Sequence, residues 1–240
     1  MAEYDVIVVG AGNAALASAV SARVSGAHKV LVLEKAQKEA RGGNTFFSGG
    51  LLRFAFERIE QPIELIPNVE RDWPEYRHGI DPYPEQAFRA DLMKVTGGRS
   101  DPELSDILIK NSYATLRWMK EMGIPLEPAR SFGGEPAKDG RGLEGVRKGK
   151  GVRWQPGCVI RAVGQGKGLS KSWFASAEAK GVDIRYDACA MELVLDPAGK
   201  VTGVVVREGG KIKTIRAKAV VLGCGGFEAN PSGRAMYLGG

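Results

Sequence analysis

The opening forty residues constrain this chain more than any other part of it. Tyr4 to Val9 reads as a fully buried strand, because Val6, Ile7, Val8 and Val9 are β-branched and continuous. Gly10-Ala11-Gly12-Asn13-Ala14-Ala15 follows at once. Ala15 to Val24 is a small-residue helix that ends near Gly26. Val30 to Leu33 is a second strand of the same kind, and Glu34 closes it. The order is strand, G-x-G-x-x-A turn, helix, strand, acid.

Each part has a physical task. Gly10 permits the tight turn out of the strand, and Gly12 lets a pyrophosphate approach backbone N–H groups. Ala15 stands where a third glycine is usual and still allows close helix–strand packing. The helix N-terminus supplies unpaired donors and partial positive charge for phosphates. Glu34 is placed to accept hydrogen bonds from a ribose diol, which favours FAD or NAD over a 2′-phosphorylated dinucleotide. Glycines alone would only turn a strand into a helix. The whole β-α-β-acid unit points to a dinucleotide site.

Composition narrows the class. The chain has 240 residues, enough for one to two domains, with 43% apolar and 26% charged residues. No apolar run approaches the ~18 residues of a membrane helix. The formal net charge is +6, spread along the chain without a nucleic-acid motif, so a small anionic substrate is expected rather than nucleic acid. Cys158, Cys189 and Cys224 lie far apart and read as small buried residues, with neither a disulfide framework nor a metal signature. Met1 to Asp5 is acidic and runs straight into a strand, unlike a secretory leader, so a cytoplasmic setting is expected.

The stretch after Glu34 bears on the choice between FAD and NAD. Beyond Lys35, Arg41 and then Gly42 to Gly50 form a glycine-flanked polar loop where an NAD dehydrogenase would continue its βαβ alternation. Gly42, Gly43, Gly49 and Gly50 let the backbone pass close to a flat or anionic group. Asn44, Thr45 and Ser48 supply hydrogen-bonding partners. A solvent loop with turn chemistry is the bland alternative. Later, Glu192 to Leu195 and Val201 to Val206 flank a Pro197-Ala198-Gly199 turn, and Gly209-Gly210 leads to Ile212 to Ile215. Ala219 to Leu222 is a separate buried strand that runs into Gly223-Cys224-Gly225-Gly226-Phe227. The chain is thus α/β: a Rossmann-like domain with a parallel sheet and an antiparallel β meander.

The whole chain resembles the N-terminal half of the FAD-dependent fumarate reductase and succinate dehydrogenase flavoproteins, and within them the tricarballylate dehydrogenase group. Asp5 to Leu16, Gly42-Gly43-Asn44-Thr45 with Ser48-Gly49-Gly50, Gly199 to Val204, and Val220 to Phe227 carry the likeness, in the family's order. The resemblance implies that Gly10, Gly12, Asn13, Ala14 and Ala15 hold the pyrophosphate and that Glu34, with Lys35, binds the adenosine ribose. It implies that Gly43, Asn44, Thr45, Ser48, Gly49 and Gly50 follow the ribityl chain toward the ring. The backbone of Ala190 would meet the adenine edge, and Gly223, Cys224 and Gly225 would close over the ribityl phosphate. Some members hold FAD covalently on a histidine. The matching position here is Gly43, and the histidines are His28 and His78, so the implied FAD is non-covalent.

The family chain is about twice as long. Its capping domain and C-terminal segment, which supply most substrate contacts and the proton-transferring arginine, follow the equivalent of Gly226-Phe227. The expectation is one FAD-binding domain over 1–240, with helical and loop insertions at 51–168, no capping domain and an incomplete enzyme. No catalytic acid or base is assigned.

The middle of the chain is irregular over 51–100, with a short helix from Glu85 to Val95 broken at Gly97-Gly98. Ser100 and Glu103 fit a capping box with Pro102 in the first turn. The helix beyond shows an apolar stripe of Leu104, Ile107, Leu108, Leu116, Met119 and Met122, and these with Trp118 read as core. From Arg130 to Gly168 the chain is rich in glycine and cations: Lys138, Arg141, Arg147, Lys148, Lys150, Arg153 and Arg161. They are either solvated loops or a basic rim that draws in a polycarboxylate. Gly164 to Leu169 resembles the family's glycine-rich lead into a helix from Leu169 to Lys180. Arg77-His78 reads as a solvated pair.

The expected activity is hydride transfer between flavin N5 and a small polycarboxylate such as tricarballylate, with an electron-acceptor protein as a further partner. Precorrin oxidation, a steroid or other enone substrate, an FAD-binding module without catalysis, and an NAD domain are the alternatives.

Overall fold

A computed structural model describes residues 2–74, 76–77, 80–129, 157–227 and 230–238. In chain order the elements are β1 (Tyr4–Val9), α1 (Asn13–Val24), β2 (Val30–Leu33), α2 (Gly43–Phe47), β3 (Leu51–Leu52) and α3 (Glu60–Leu65). Next come α4 (Val69–Asp72), α5 (Glu85–Thr96), α6 (Pro102–Glu121), β4 (Leu126–Pro128), β5 (Ile160–Ala162) and α7 (Gln165–Ala179). The chain then runs through β6 (Asp183–Arg185), β7 (Ala188–Leu195), β8 (Val201–Glu208), β9 (Lys211–Leu222) and α8 (Pro231–Leu238). It divides into two compact units: Met1–Phe47 with Trp173–Gly240, and Ser48–Ser172.

The first unit holds a six-stranded sheet in the order β6-β2-β1-β9-β8-β7. β1 is parallel to β2 and to β9, and β2 is parallel to β6. The meander and the last core strand are one strand, not two. Residues 211–216 of β9 pair antiparallel with β8, and 217–222 pair parallel with β1. Alternating Ile212, Thr214 and Arg216 hide that continuity in the sequence, and the apolar end expected to be buried is not: Val220 and Val221 are half-buried, and Ala219 and Leu222 are exposed. Ile7, Leu31 and Leu33 form one core with Ala188, Val204, Val206, Ile215 and Ala217. Helix α1 crosses from β1 to β2 and buries Ala15, Leu16, Ala19 and Val20.

The second unit pairs β3 and β4 antiparallel with β5 and packs helices around Phe54, Phe56, Leu65 and Tyr76. Here α6 departs from expectation. Asp101, not Ser100, is its N-cap: Asp101 Oδ1 accepts the Leu104 N–H at 2.9 Å, and Pro102 occupies the first turn. Ser100 instead donates to Thr96 Oγ1. The buried face is Ser105, Ile109, Ser112, Leu116 and Met119, whereas Leu104, Ile107 and Leu108 are exposed. Small hydroxyl residues face inward because their polar atoms are satisfied there. Ser112 Oγ accepts the Ala55 N–H and donates to Ile109 O. Trp118 and Met122 are half-buried. Arg161 pairs with Glu127 at 2.8 Å. The other six cations of the basic stretch and His78 lie outside the described residues.

Asp5 clamps the loop before β2. Its Oδ2 accepts the His28 and Lys29 N–H groups at 2.8 and 2.9 Å, and Oδ1 meets Lys218 Nζ at 2.6 Å. Lys218 first, then the two amides, lower its pKa from the ordinary 3.8 to about 2. A lowered folded-state value stabilises the fold above the ordinary carboxylate range, and that contribution fades as pH falls toward 2. Urea midpoints measured between pH 5 and pH 2 should fall less steeply in Asp5→Asn than in the parent. The cap gives a second expectation: Asp101→Ala should cost about 1 kcal/mol in urea unfolding, and Ser100→Ala distinctly less.

Candidate functional site

The C-terminal ends of β1, β2 and β9 meet around a cleft of about 710 Å³, lined at its floor by Val9, Leu33 and Leu222. From β1 the chain continues to a strand on one side, while β9 returns on the other, and a ligand crevice is expected at such a reversal of strand order. The cleft belongs wholly to the first unit.

Its glycines differ in why they are bare. Gly10 has φ +97°, and a Cβ there would lie 2.6 Å from Gly223 O. A Cβ on Gly223 would lie 2.7 Å from Ala15 Cβ. Both are therefore glycine because of packing within the protein. Gly12 has φ −80°, open to any residue, and its Cβ would meet Thr45 Oγ1 at 3.5 Å and Gly42 O at 4.0 Å, both ordinary contacts. Nothing in the fold requires glycine at position 12. Its missing side chain is room left in the cleft.

The expected binding residues gather unevenly. Gly10, Gly12, Asn13, Ala14, Glu34 and Lys35 line the cleft. So do Gly43, Asn44, Thr45, Ala190 and Gly223 to Gly225. Ala15 lies behind it, buried against Gly223. Gly42 turns the chain beside it at φ +108°. Ser48, Gly49 and Gly50 belong to the second unit, where Gly50 packs on the backbone of Gln165 and Ser48 O accepts the Gly166 N–H. Two expected loops are helical: Gly43–Phe47 forms α2, and Gln165 to Gly168 is the first turn of α7 rather than a lead into it. No breaker separates Asn44 from Phe47, so one turn can close after the two positive-φ glycines. Of the cysteines only Cys158 is buried; Cys189 is half-buried and Cys224 exposed, and both of these line the cleft.

Glu34 is 7% exposed. Its Oε1 accepts the Ala36 N–H at 2.8 Å, and its C=O accepts the Ala188 N–H. Among the described residues no donor meets Oε2. A buried carboxylate oxygen without a donor is costly, and ligand hydroxyls would satisfy it. At the helix end, the amides of Gly12 and Ala14 likewise have no protein acceptor among the described residues.

Sequence reasoning missed Arg41, whose guanidinium stacks 4.1 Å over the Phe174 ring and donates to Tyr186 OH at 2.5 Å. This ties the chain before Gly43 to the segment before Ala188. It also missed Trp173, which donates to Asn13 Oδ1. Both contacts join residues more than a hundred positions apart, where no local pattern can signal them.

Residues 5–238 match the family described as FAD binding domain. The chain belongs to that family. It is 30% identical to urocanate reductase of Eggerthella lenta over 240 residues, covering 98% of this chain and 34% of that protein. It is 28% identical to fumarate reductase (cytochrome) of Shewanella frigidimarina over 229 residues, covering 94% and 34%. The solved 3-ketosteroid-delta4-(5alpha)-dehydrogenase of Rhodococcus jostii RHA1 superposes with a TM-score of 0.70 at 25% identity, covering 99% of this chain and 49% of that one. The chain thus spans about a third of the length of these two curated relatives. FAD is the cofactor of this FAD-binding chain. The cleft fits it in two respects: the space left bare at Gly12, and Glu34 Oε2, which meets no donor among the described residues.

Gly12→Ser should leave the urea midpoint of the FAD-free protein nearly unchanged, since serine also caps helices, while FAD affinity measured by flavin fluorescence collapses. Gly223→Ala should instead destabilise the fold by about 1–3 kcal/mol through overpacking on Ala15.

Proposed function

We propose that this chain is the FAD-binding part of an oxidoreductase that moves a hydride between flavin N5 and a carbon next to a carboxylate or carbonyl. The observation that carries the reading is the cleft of an FAD-binding family member, kept open at Gly12 and floored by three strand ends. Bound FAD supplies the hydride chemistry. The chain's own residues bind and orient. The amides of Gly12 and Ala14 present donors and the positive end of α1 to the diphosphate. Glu34 Oε2 accepts a ribose hydroxyl. Lys35 and the wall from Ala188 to Ala190 flank the adenosine, while Gly223 to Gly225 and the short helix α2 flank the ribityl side.

The substrate is a small anion, which the net charge of +6 favours, and an electron-acceptor protein is a partner. The relatives named for urocanate and fumarate support an unsaturated carboxylate as hydride acceptor, and tricarballylate, a saturated tricarboxylate, would be a hydride donor of the same kind of pair. The FAD is held non-covalently.

The purified chain should be yellow, and acid precipitation should leave its flavin in the supernatant. Colourless protein that titrates with NAD and not with FAD would overturn the reading. For substrate, the longest reading frame containing this chain should turn over one of fumarate, urocanate or tricarballylate with an artificial electron donor or acceptor. Turnover of 4-androstene-3,17-dione alone would shift the class to carbonyl-conjugated rings.

A further inference from the structure

Trp173 is 1% exposed, and its indole N–H donates to Asn13 Oδ1 at 2.6 Å across 160 positions of sequence. An indole nitrogen only donates, so the carboxamide atom facing it is the oxygen. That fixes Nδ2 on the other side of the carboxamide. Among the described residues Nδ2 has no acceptor, and Asn13 lines the cleft between Gly12 and Ala14. The backbone of Asn13 is held as well, since its N–H donates to Thr45 Oγ1 at 2.8 Å. A buried indole needs an acceptor. Here the acceptor is the side chain of a cleft residue.

We infer that Trp173 is a positioning residue for the cofactor: it orients the Asn13 carboxamide so that the NH₂ group faces the diphosphate of FAD. The inference rests on the proposal that the cleft binds FAD. The two ends of a carboxamide are nearly isosteric, so without the indole the group turns over at little steric cost. Turned over, it offers an oxygen to an anion. Asn13 is then a direct ligand through Nδ2, and Trp173 acts only through it.

The test is a double-mutant cycle on the full chain, read as FAD affinity by flavin fluorescence. Asn13→Ala should weaken binding about tenfold to a hundredfold, the range for a hydrogen bond to a charged group. Trp173→Phe keeps an aromatic ring in the core and should weaken binding several-fold in the parent, yet have no further effect in the Asn13→Ala background. Equal losses in both backgrounds would show that Trp173 acts by packing and would overturn the inference, as would undiminished binding in Asn13→Ala. Should Trp173→Phe fail to fold, Asn13→Asp still decides, because it keeps the acceptor for the indole and sets a carboxylate against the diphosphate. It should bind FAD more weakly than Asn13→Ala, and equal or tighter binding would overturn the inference. Loss of binding in Gly12→Ser with none in Asn13→Ala defeats this inference alone. A parent chain that binds no FAD defeats the FAD reading itself.

Discussion

A contact made almost without side chains organises the first unit. Gly10 at the end of β1 lies against the backbone of Gly223, and Gly223 lies against Ala15 in the first turn of α1. Strand, strand and helix can meet there only because Gly10 and Gly223 add no Cβ and Ala15 brings only its own. Protein interiors are packed too tightly to absorb an added methyl at such a point. The same contact brings three strand ends and one helix N-terminus to a single place. The cleft is what remains in front of it.

Around that cleft the polar groups are committed before any ligand arrives. Glu34 is buried and anchored on one oxygen, and among the described residues no donor meets the other. Asn13 is held at its backbone by Thr45 and at its carboxamide by Trp173. Arg41 is clamped between Phe174, Tyr186 and Glu178. Such groups lose hydration on folding and recover it only partly within the protein. A ligand that supplies the missing partners therefore stabilises the fold as it binds, and preorganisation lowers what binding must spend on ordering.

The strands and the glycine turn after β1 were legible because their signals are local. Four continuous β-branched or aliphatic residues specify β2 to the residue, and Gly10 and Gly12 stand beside the strand they terminate. The helices of the second unit were less so. On α6 the larger side chains drew the apolar stripe to Leu104, Ile107 and Leu108, whereas the buried face uses Ser105 and Ser112. A serine that bonds its own helix carbonyl and a distant amide is polar in sequence and satisfied in place. Cys224 shows the converse. Its apolar character suggested burial, but it stands in a bare backbone stretch whose purpose is to lie open.

The sequence alone determined a βαβ unit with its acid, a glycine at each close approach, and a ribbon returning to a core strand, because covalent geometry and side-chain period act over a few residues. Only the tertiary structure decided that β9 is a single strand serving two neighbours, that Gly12 is bare for the cleft while Gly10 and Gly223 are bare for the fold, and that Trp173 reaches Asn13. Those facts depend on which distant backbones come within a few ångströms of each other, and no local periodicity encodes that distance.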